Sequence, residues 1–301
     1  MARLLLSITL LIATPSFAAG GMSIGRGLPA VFLIMGQSNI YGGSEGASIT
    51  VPDAPGASNS IAIVQNVRGA VTDARIIHWA TGSSPWPAFT KKWQEEVGGN
   101  VILLFTAQGG TCLASDPDDA DCGGGAGPLW AKEVTGCVAC PHNGVLYALT
   151  QTYFSGQGIG DGVRAVLWNQ GECEMVGACD TWPNAQADKQ GDYQAALEQF
   201  ATDIGNDFKV PVVASPPSDC SGHPGGTPCL DIVDASCGAP GATRILIHDG
   251  AQAAITAHSN LRQGPDFDDL RFRDGDCAHI HEVQTLGERW FDAVEAAGLA
   301  Y

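Results

Sequence analysis

A serine stands where an apolar run gives out. In "VFLIMGQSNIYGGSEG" the apolar residues Val31 to Met35 end in Gly36-Gln37-Ser38-Asn39. A hydroxyl at a strand end is either a cap or a nucleophile. Three other segments offer partners for the second role. They are Ala107-Gln108-Gly109-Gly110-Thr111, Asn169-Gln170-Gly171-Glu172 and Asp274-Gly275-Asp276-Cys277-Ala278-His279. Together they supply what acyl transfer needs. His279 is a base for the Ser38 proton. Asp276 lies three residues before it, close enough to hold the imidazole in one tautomer from a single turn. The backbone N–H groups of Ser38 and Gly110 and the side-chain amide of Gln170 are donors for an oxyanion.

Taken singly, each segment has a plainer reading. Gly-Gln-Ser-Asn is also a cap or a turn, and Gly109-Gly110 is also a tight turn, with Gly109 the alternate donor. His281 competes with His279, and Asp274 with Asp276. Gln37 and Asn39 flank the serine in supporting positions. Glu172 either orients the histidine or braces the serine loop. The spacing of Asp276 gives the acid role to Asp276 and leaves Glu172 the supporting one. Ser38 is not in a Gly-x-Ser-x-Gly elbow, because Ile40 occupies the last position. That argues against an ordinary α/β-hydrolase.

Such groups must be held by a frame, and the chain offers one. Short β-branched runs predict buried strands at Val31–Met35, Ile61–Val64, Val101–Thr106, Val163–Trp168 and Val210–Ala214. Helical spacing falls between them, at Ala88–Val97, Gly144–Phe154, Asp192–Ile204 and Glu282–Ala297. The third of these puts Tyr193, Leu197, Phe200 and Ile204 on one face. Alternating strands and helices predict an α/β fold, a central parallel sheet with helices on both faces. Open parallel sheets bind ligands at the carboxyl ends of their strands. The first three segments follow predicted strands, and the fourth precedes the last helix. Two long loops, Gln108–Leu129 and Ser215–Thr243, are rich in Gly, Pro, Asp and Cys. No repeat or linker divides the chain, so residues 19–301 read as one domain.

Residues 1–18 read as a secretory signal. Arg3 gives the positive start, Leu4 to Ala13 the apolar stretch, and Ser16-Phe17-Ala18 a small-x-small cleavage site. The apolar stretch is too short to span a bilayer. The expectation is a secreted or periplasmic protein. The ten cysteines all follow the signal and are even in number, so up to five disulfides are expected to staple the loops. Cys112/Cys122, Cys137/Cys140 and Cys173/Cys179 are candidate local pairs; connectivity is not readable from spacing. Cys137 and Cys140 also suit half a zinc site or a redox pair. No second close pair of Cys or His completes a zinc pattern, and no metal or cofactor is expected. The net charge is −17, from 15 basic and 32 acidic residues, and loss of Arg3 with the signal makes it −18. That surface repels nucleic acid and anionic membranes and fits a neutral or lightly charged substrate.

The blocks "GQSNIYG", "AQGGT", "WNQGE" and Asp-x-x-His, in this order, resemble those of the SGNH-hydrolase superfamily. More narrowly they resemble its sialate O-acetylesterase and acetylxylan esterase branch, carbohydrate esterase family 6. The resemblance implies a flavodoxin-like three-layer sandwich and metal-free deacetylation of sugars. It places the nucleophile on Ser38, the base on His279 and its acid on Asp276, with Ser38, Gly110 and Gln170 at the oxyanion hole. There are departures. Cys173-Glu174 follows Gln-Gly-Glu where the family often has Ser-Asp, and Cys277 sits inside the last block. Trp79, Trp86 and Trp130 either form a sugar platform or pack in the core. The expectation is an exported serine esterase acting on an acetylated xylan, sialic acid or related glycan. Two other readings stand beside it: an esterase or lipase for other short acyl esters, and a catalytically idle carbohydrate-binding protein.

Overall fold

The computed structural model describes residues 30–36, 40, 61–65, 74–76, 85–98, 101–107, 112–113, 130–132, 144, 146–148, 150–151, 162–171, 186–217, 241–268, 270, 280 and 282–301. The strands are β1 (Ala30–Gly36), β2 (Ile61–Gln65), β3 (Ala74–Ile76), β4 (Val101–Phe105), β5 (Val163–Asn169), β6 (Val212–Ser215) and β7 (Leu261–Gln263). The helices are α1 (Trp86–Glu96), α2 (Gln186–Asp207), α3 (Gly241–Ala257) and α4 (Val283–Ala296). The segment expected as a helix at Gly144–Phe154 is helical at 146–148 and 150–151.

The strands form one seven-stranded sheet in the order β3-β2-β4-β1-β5-β6-β7. All neighbours are parallel except β2 and β3, which pair antiparallel at one edge. Five parallel strands, β4-β1-β5-β6-β7, run in chain order as 2-1-3-4-5, the flavodoxin-like order. β2 and β3 extend that sheet beyond β4.

Both faces of β1 are covered, which is why it reads as an unbroken apolar run rather than an alternating one. Val31, Leu33 and Met35 join an apolar cluster with Tyr193, Phe200 and Ala251 of α2 and α3. Ala30, Phe32 and Ile34 join a second cluster with Trp86, Phe89 and Trp290 of α1 and α4. The result is three layers, helices on either side of the sheet, as expected. Aromatic rings fill both layers. The Phe32 ring meets Phe89 and Trp93 edge-on at 5.8 and 5.4 Å, and on the other face Trp168 meets Phe200 at 4.3 Å. Such pairs add ~0.5–1.5 kcal/mol each beyond the area they bury.

Two glycines let the helix pairs close. A Cβ on Gly287 of α4 would lie 2.0 Å from the Pro85 carbonyl oxygen at the start of α1, and one on Gly250 of α3 would lie 2.6 Å from that of Gln190 in α2. Trp86 and Trp130 are fully buried, so neither is a sugar platform. Trp79 lies outside the described residues.

The expected disulfide staples fall mostly outside the described residues. Cys112 is buried and disulfide-bonded, but its partner and the other cysteines lie outside the described residues. Backbone bonds also join the ends of the first long loop. The Trp130 and Ala131 N–H groups donate to the Leu113 carbonyl at 3.2 and 2.7 Å. Among the described residues no helix is long and apolar enough to cross a membrane. The segment read as a secretory signal lies outside them.

Candidate active site

The sheet changes direction at β1 and β5. From β1 the next strand of the five-stranded core, β4, lies on one side, and from β5 the next, β6, lies on the other. A crevice opens where neighbouring connections diverge in this way, at the carboxyl ends of the two strands. Gly36 and Asn169, the last residues of β1 and β5, are register partners there. Ser38 lies two residues beyond the first, and Gln170 directly follows the second.

Gly36 is required at this point. Its φ is +126°, and a Cβ would lie 2.0 Å from the Asn169 carbonyl oxygen. Only glycine adopts that backbone at so close an approach. Gly171, with φ +137°, repeats the device at β5, where a Cβ would lie 2.4 Å from Pro217 Cγ. Both strands therefore end in glycine-dependent turns at the same crevice.

Beyond Gly36 the chain re-enters the core at Ile40, which is fully buried and helical. The indole Nε1–H of Trp86 donates to the Ile40 carbonyl at 2.6 Å. The peptide carrying Gln37, Ser38 and Asn39 is thus tethered at both ends. One apolar cluster holds Ile40, Ala107, Leu167 and Ile280. Each of these lies in or beside one of the four sequence blocks. Ile280 stands between His279 and His281, and Ala107 two residues before Gly109. Ser38, Gln37, Asn39, Gly109, Gly110, Glu172, Asp274, Asp276, His279 and His281 themselves lie outside the described residues.

Gln170 is described, and it is completely buried. The phenol of Tyr193, on α2, donates to its backbone carbonyl at 2.7 Å and approaches its Oε1 at 3.2 Å. In the sequence Tyr193 reads only as one of four residues on a packing face. Its hydroxyl is the signal that a further role was open, since Phe would pack as well. Asn169 reads in the sequence only as part of the third block. It is buried, and among the described residues neither its Oδ1 nor its Nδ2 has a hydrogen-bond partner; the Thr106 hydroxyl just past β4 is in the same state. Unpaired buried polar atoms are uncommon and call for an explanation. Here they lie at the ends of the two strands that flank β1. No group of three or more His, Cys, Asp or Glu able to hold a metal occurs among the described residues.

The fold has solved counterparts. A protein from Arabidopsis thaliana matches at TM-score 0.57 and 15% identity, over 89% of this chain and 99% of its own. A carbohydrate acetylesterase from Xanthomonas citri matches at TM-score 0.51 and 16% identity, over 90% of this chain and 56% of its own. At these identities the likeness is one of fold. No protein-family model matches the chain, and no curated relative matches it in sequence.

Proposed function

We propose that the chain is an exported serine esterase of the SGNH type that removes acetyl groups from carbohydrate. One observation carries the reading. The segments that bear Ser38 and Gln170 leave adjacent parallel strands at the switch point, each through a turn that needs glycine. Three things support it: the order of the four blocks along the chain, the shared fold, and the carbohydrate acetylesterase among the fold's counterparts.

In this reading Ser38 Oγ attacks the acetyl carbonyl carbon while His279 takes its proton. Asp276 holds the imidazole and stabilises its charged form. The tetrahedral oxyanion accepts from the N–H groups of Ser38 and Gly110 and from Gln170 Nε2. Each such donor is worth ~3 kcal/mol in the transition state. Collapse expels the sugar hydroxyl, which receives the proton from His279. Water then attacks the acetyl-serine by the same route and releases acetate. Glu172, Gln37 and Asn39 support the loops. The cysteine-rich loops, stapled by disulfides, shape the glycan site.

The test is acetate release from a panel of acetylated xylan, sialic acid and related glycans, beside Ser38→Ala. Release by the wild type and loss in the variant support the reading. Full activity in Ser38→Ala, or a requirement for bound zinc after prolonged chelation, overturns it. Hydrolysis of longer acyl esters at rates above every glycan would move the substrate away from carbohydrate.

A further inference from the structure

We infer that Tyr193 is a positioning residue of this site, clamping Gln170 so that its amide nitrogen serves the oxyanion. The inference rests on the proposed esterase reading, in which Gln170 is a donor. It begins from α2. Tyr193 packs in the same cluster as Leu197, Phe200 and Ile204 and is 1% exposed. Burying a hydroxyl without a partner costs free energy, so a tyrosine where phenylalanine would pack equally well needs its partner.

That partner is the residue at the switch point. The Tyr193 hydroxyl lies 2.7 Å from the Gln170 carbonyl oxygen and 3.2 Å from Gln170 Oε1. One proton is shared between two oxygens of one residue, with the shorter arm on the backbone. The first contact fixes the peptide plane between Gln170 and Gly171 just before the chain turns at φ +137°. The second occupies the oxygen of the side-chain amide. That leaves Nε2, on the other arm of the amide, as the donor. Nothing in an isolated glutamine decides between its two amide orientations, because oxygen and nitrogen are nearly the same size. A donor held at Oε1 decides it.

The helix supplies rigidity. Tyr193 stands on a helix of 22 residues, well inside its ends, and its ring is enclosed by core. Gly171 is sterically locked beside it, since a Cβ there would lie 3.2 Å from the Tyr193 hydroxyl and 2.4 Å from Pro217 Cγ. A donor is useful to an oxyanion only if it is already aimed when charge develops. The phenol aims this one from outside the reacting groups.

The experiment compares Tyr193→Phe, Gln170→Ala, the double variant and Leu197→Ala, with kcat counted per site titrated by a serine-directed phosphonate. Titration restricts the comparison to folded protein. Leu197→Ala opens the same helix face one turn away from Tyr193. Gln170→Ala is expected to lower kcat ~100-fold. Tyr193→Phe, acting only through Gln170, is expected to lower kcat roughly tenfold with KM within twofold of wild type. In the double variant the tyrosine change should add less than about threefold, because the group it positions is gone. Leu197→Ala should lower the unfolding midpoint while keeping kcat per site. A Tyr193→Phe enzyme with wild-type kcat overturns the inference while leaving the esterase reading intact. So does full multiplication of the two losses, or an equal loss in Leu197→Ala. Wild-type kcat in Gln170→Ala removes Gln170 from the oxyanion hole and Tyr193 with it. A folded wild type that hydrolyses no ester overturns the reading and the inference together.

Discussion

At the scale of single residues, two glycines and a tyrosine say more about the site than the acids and bases near it. Gly36 is the sharpest case. Alanine there meets both a forbidden φ and the Asn169 backbone oxygen at 2.0 Å, which is not a flexible side chain that can move aside. Backbone strain of this kind costs ~1–3 kcal/mol before the clash is counted. Gly36→Ala should therefore lose at least ~2 kcal/mol in urea denaturation and also lose esterase activity in the protein that still folds. A stable, active Gly36→Ala would mean that the turn into Ser38 is not built as described. The acid proposed to serve His279 is tested separately. Asp276→Asn should lower kcat by up to ~10⁴-fold, the fall expected when the imidazole takes the wrong tautomer. Glu172→Gln should cost far less. Paired rates on p-nitrophenyl acetate decide the matter, and a larger fall in Glu172→Gln would transfer the role to Glu172. The sequence singles out Ser38 and Gln170 through their place after an apolar run. It could not show Tyr193, because a helical face of apolar spacing looks the same whether its aromatic hydroxyl is idle or engaged.

At the scale of elements, the helices that pack on the sheet are held by contacts remote from the crevice, and one of them is sensitive to pH. Asp207, the last residue of α2, accepts from Lys132 Nζ, from Tyr147 Oη at 2.9 Å and from Gln151 Nε2 at 2.7 Å. Lys132 also lies 4.3 Å from the centre of the Tyr147 ring. Partial burial pushes the Asp207 carboxyl up, but the hydrogen bonds from Lys132 and Tyr147 and the lysine charge outweigh it and hold the group below the usual carboxylate range. A carboxylate held low in the folded state stabilises the fold fully above its unfolded value of about 4. That contribution disappears as pH falls through the lower, folded value. Asp207→Asn should thus cost about 1 kcal/mol at neutral pH, a modest figure because the pair is about one-third exposed and screened. The gap between variant and wild type should close in acid. Chemical denaturation at pH 7 and at pH 3 measures it, and a gap that widens in acid would contradict the sign. The same scale shows what could be read beforehand. β1, β2, β4, β5 and β6 were legible as short apolar, β-branched runs, and in β1 burial on both faces demands such a run. α3 was missed. Gly250 interrupts its pattern, yet that glycine is what lets α3 approach Gln190 so closely. β3 and β7 were missed as well. Each has three residues, too few for any period to show.

At the scale of the whole molecule, a continuous sheet separates two apolar clusters, and charge is left to the outside. That outside is strongly acidic, with 32 acidic residues against 15 basic ones. Several of the basic groups are already committed. Lys92 pairs with Asp292 and lies over the Phe291 ring, Lys132 pairs with Asp207, and Arg164 stacks over Trp93 while donating to the Leu299 carbonyl at 3.1 Å. The net charge of −17 sets the long-range field met by an approaching polymer. The field reaches far at low salt, since the Debye length is about 30 Å at 0.01 M and about 8 Å at 0.15 M ionic strength. An acetylated polysaccharide bearing uronate groups should therefore be repelled before its ester can reach the crevice. Its kcat/KM should rise several-fold between 0.01 and about 0.5 M salt, and the rise should come from association rather than from kcat. A neutral acetylated xylan, which carries no charge for the field to act on, should change by less than about twofold over the same range. The comparison needs only initial rates of acetate release on the two polymers at several salt concentrations. Faster turnover of the anionic polymer at low salt would show that the mouth of the crevice is locally positive despite the net charge. The preference for neutral glycans would then have to be abandoned.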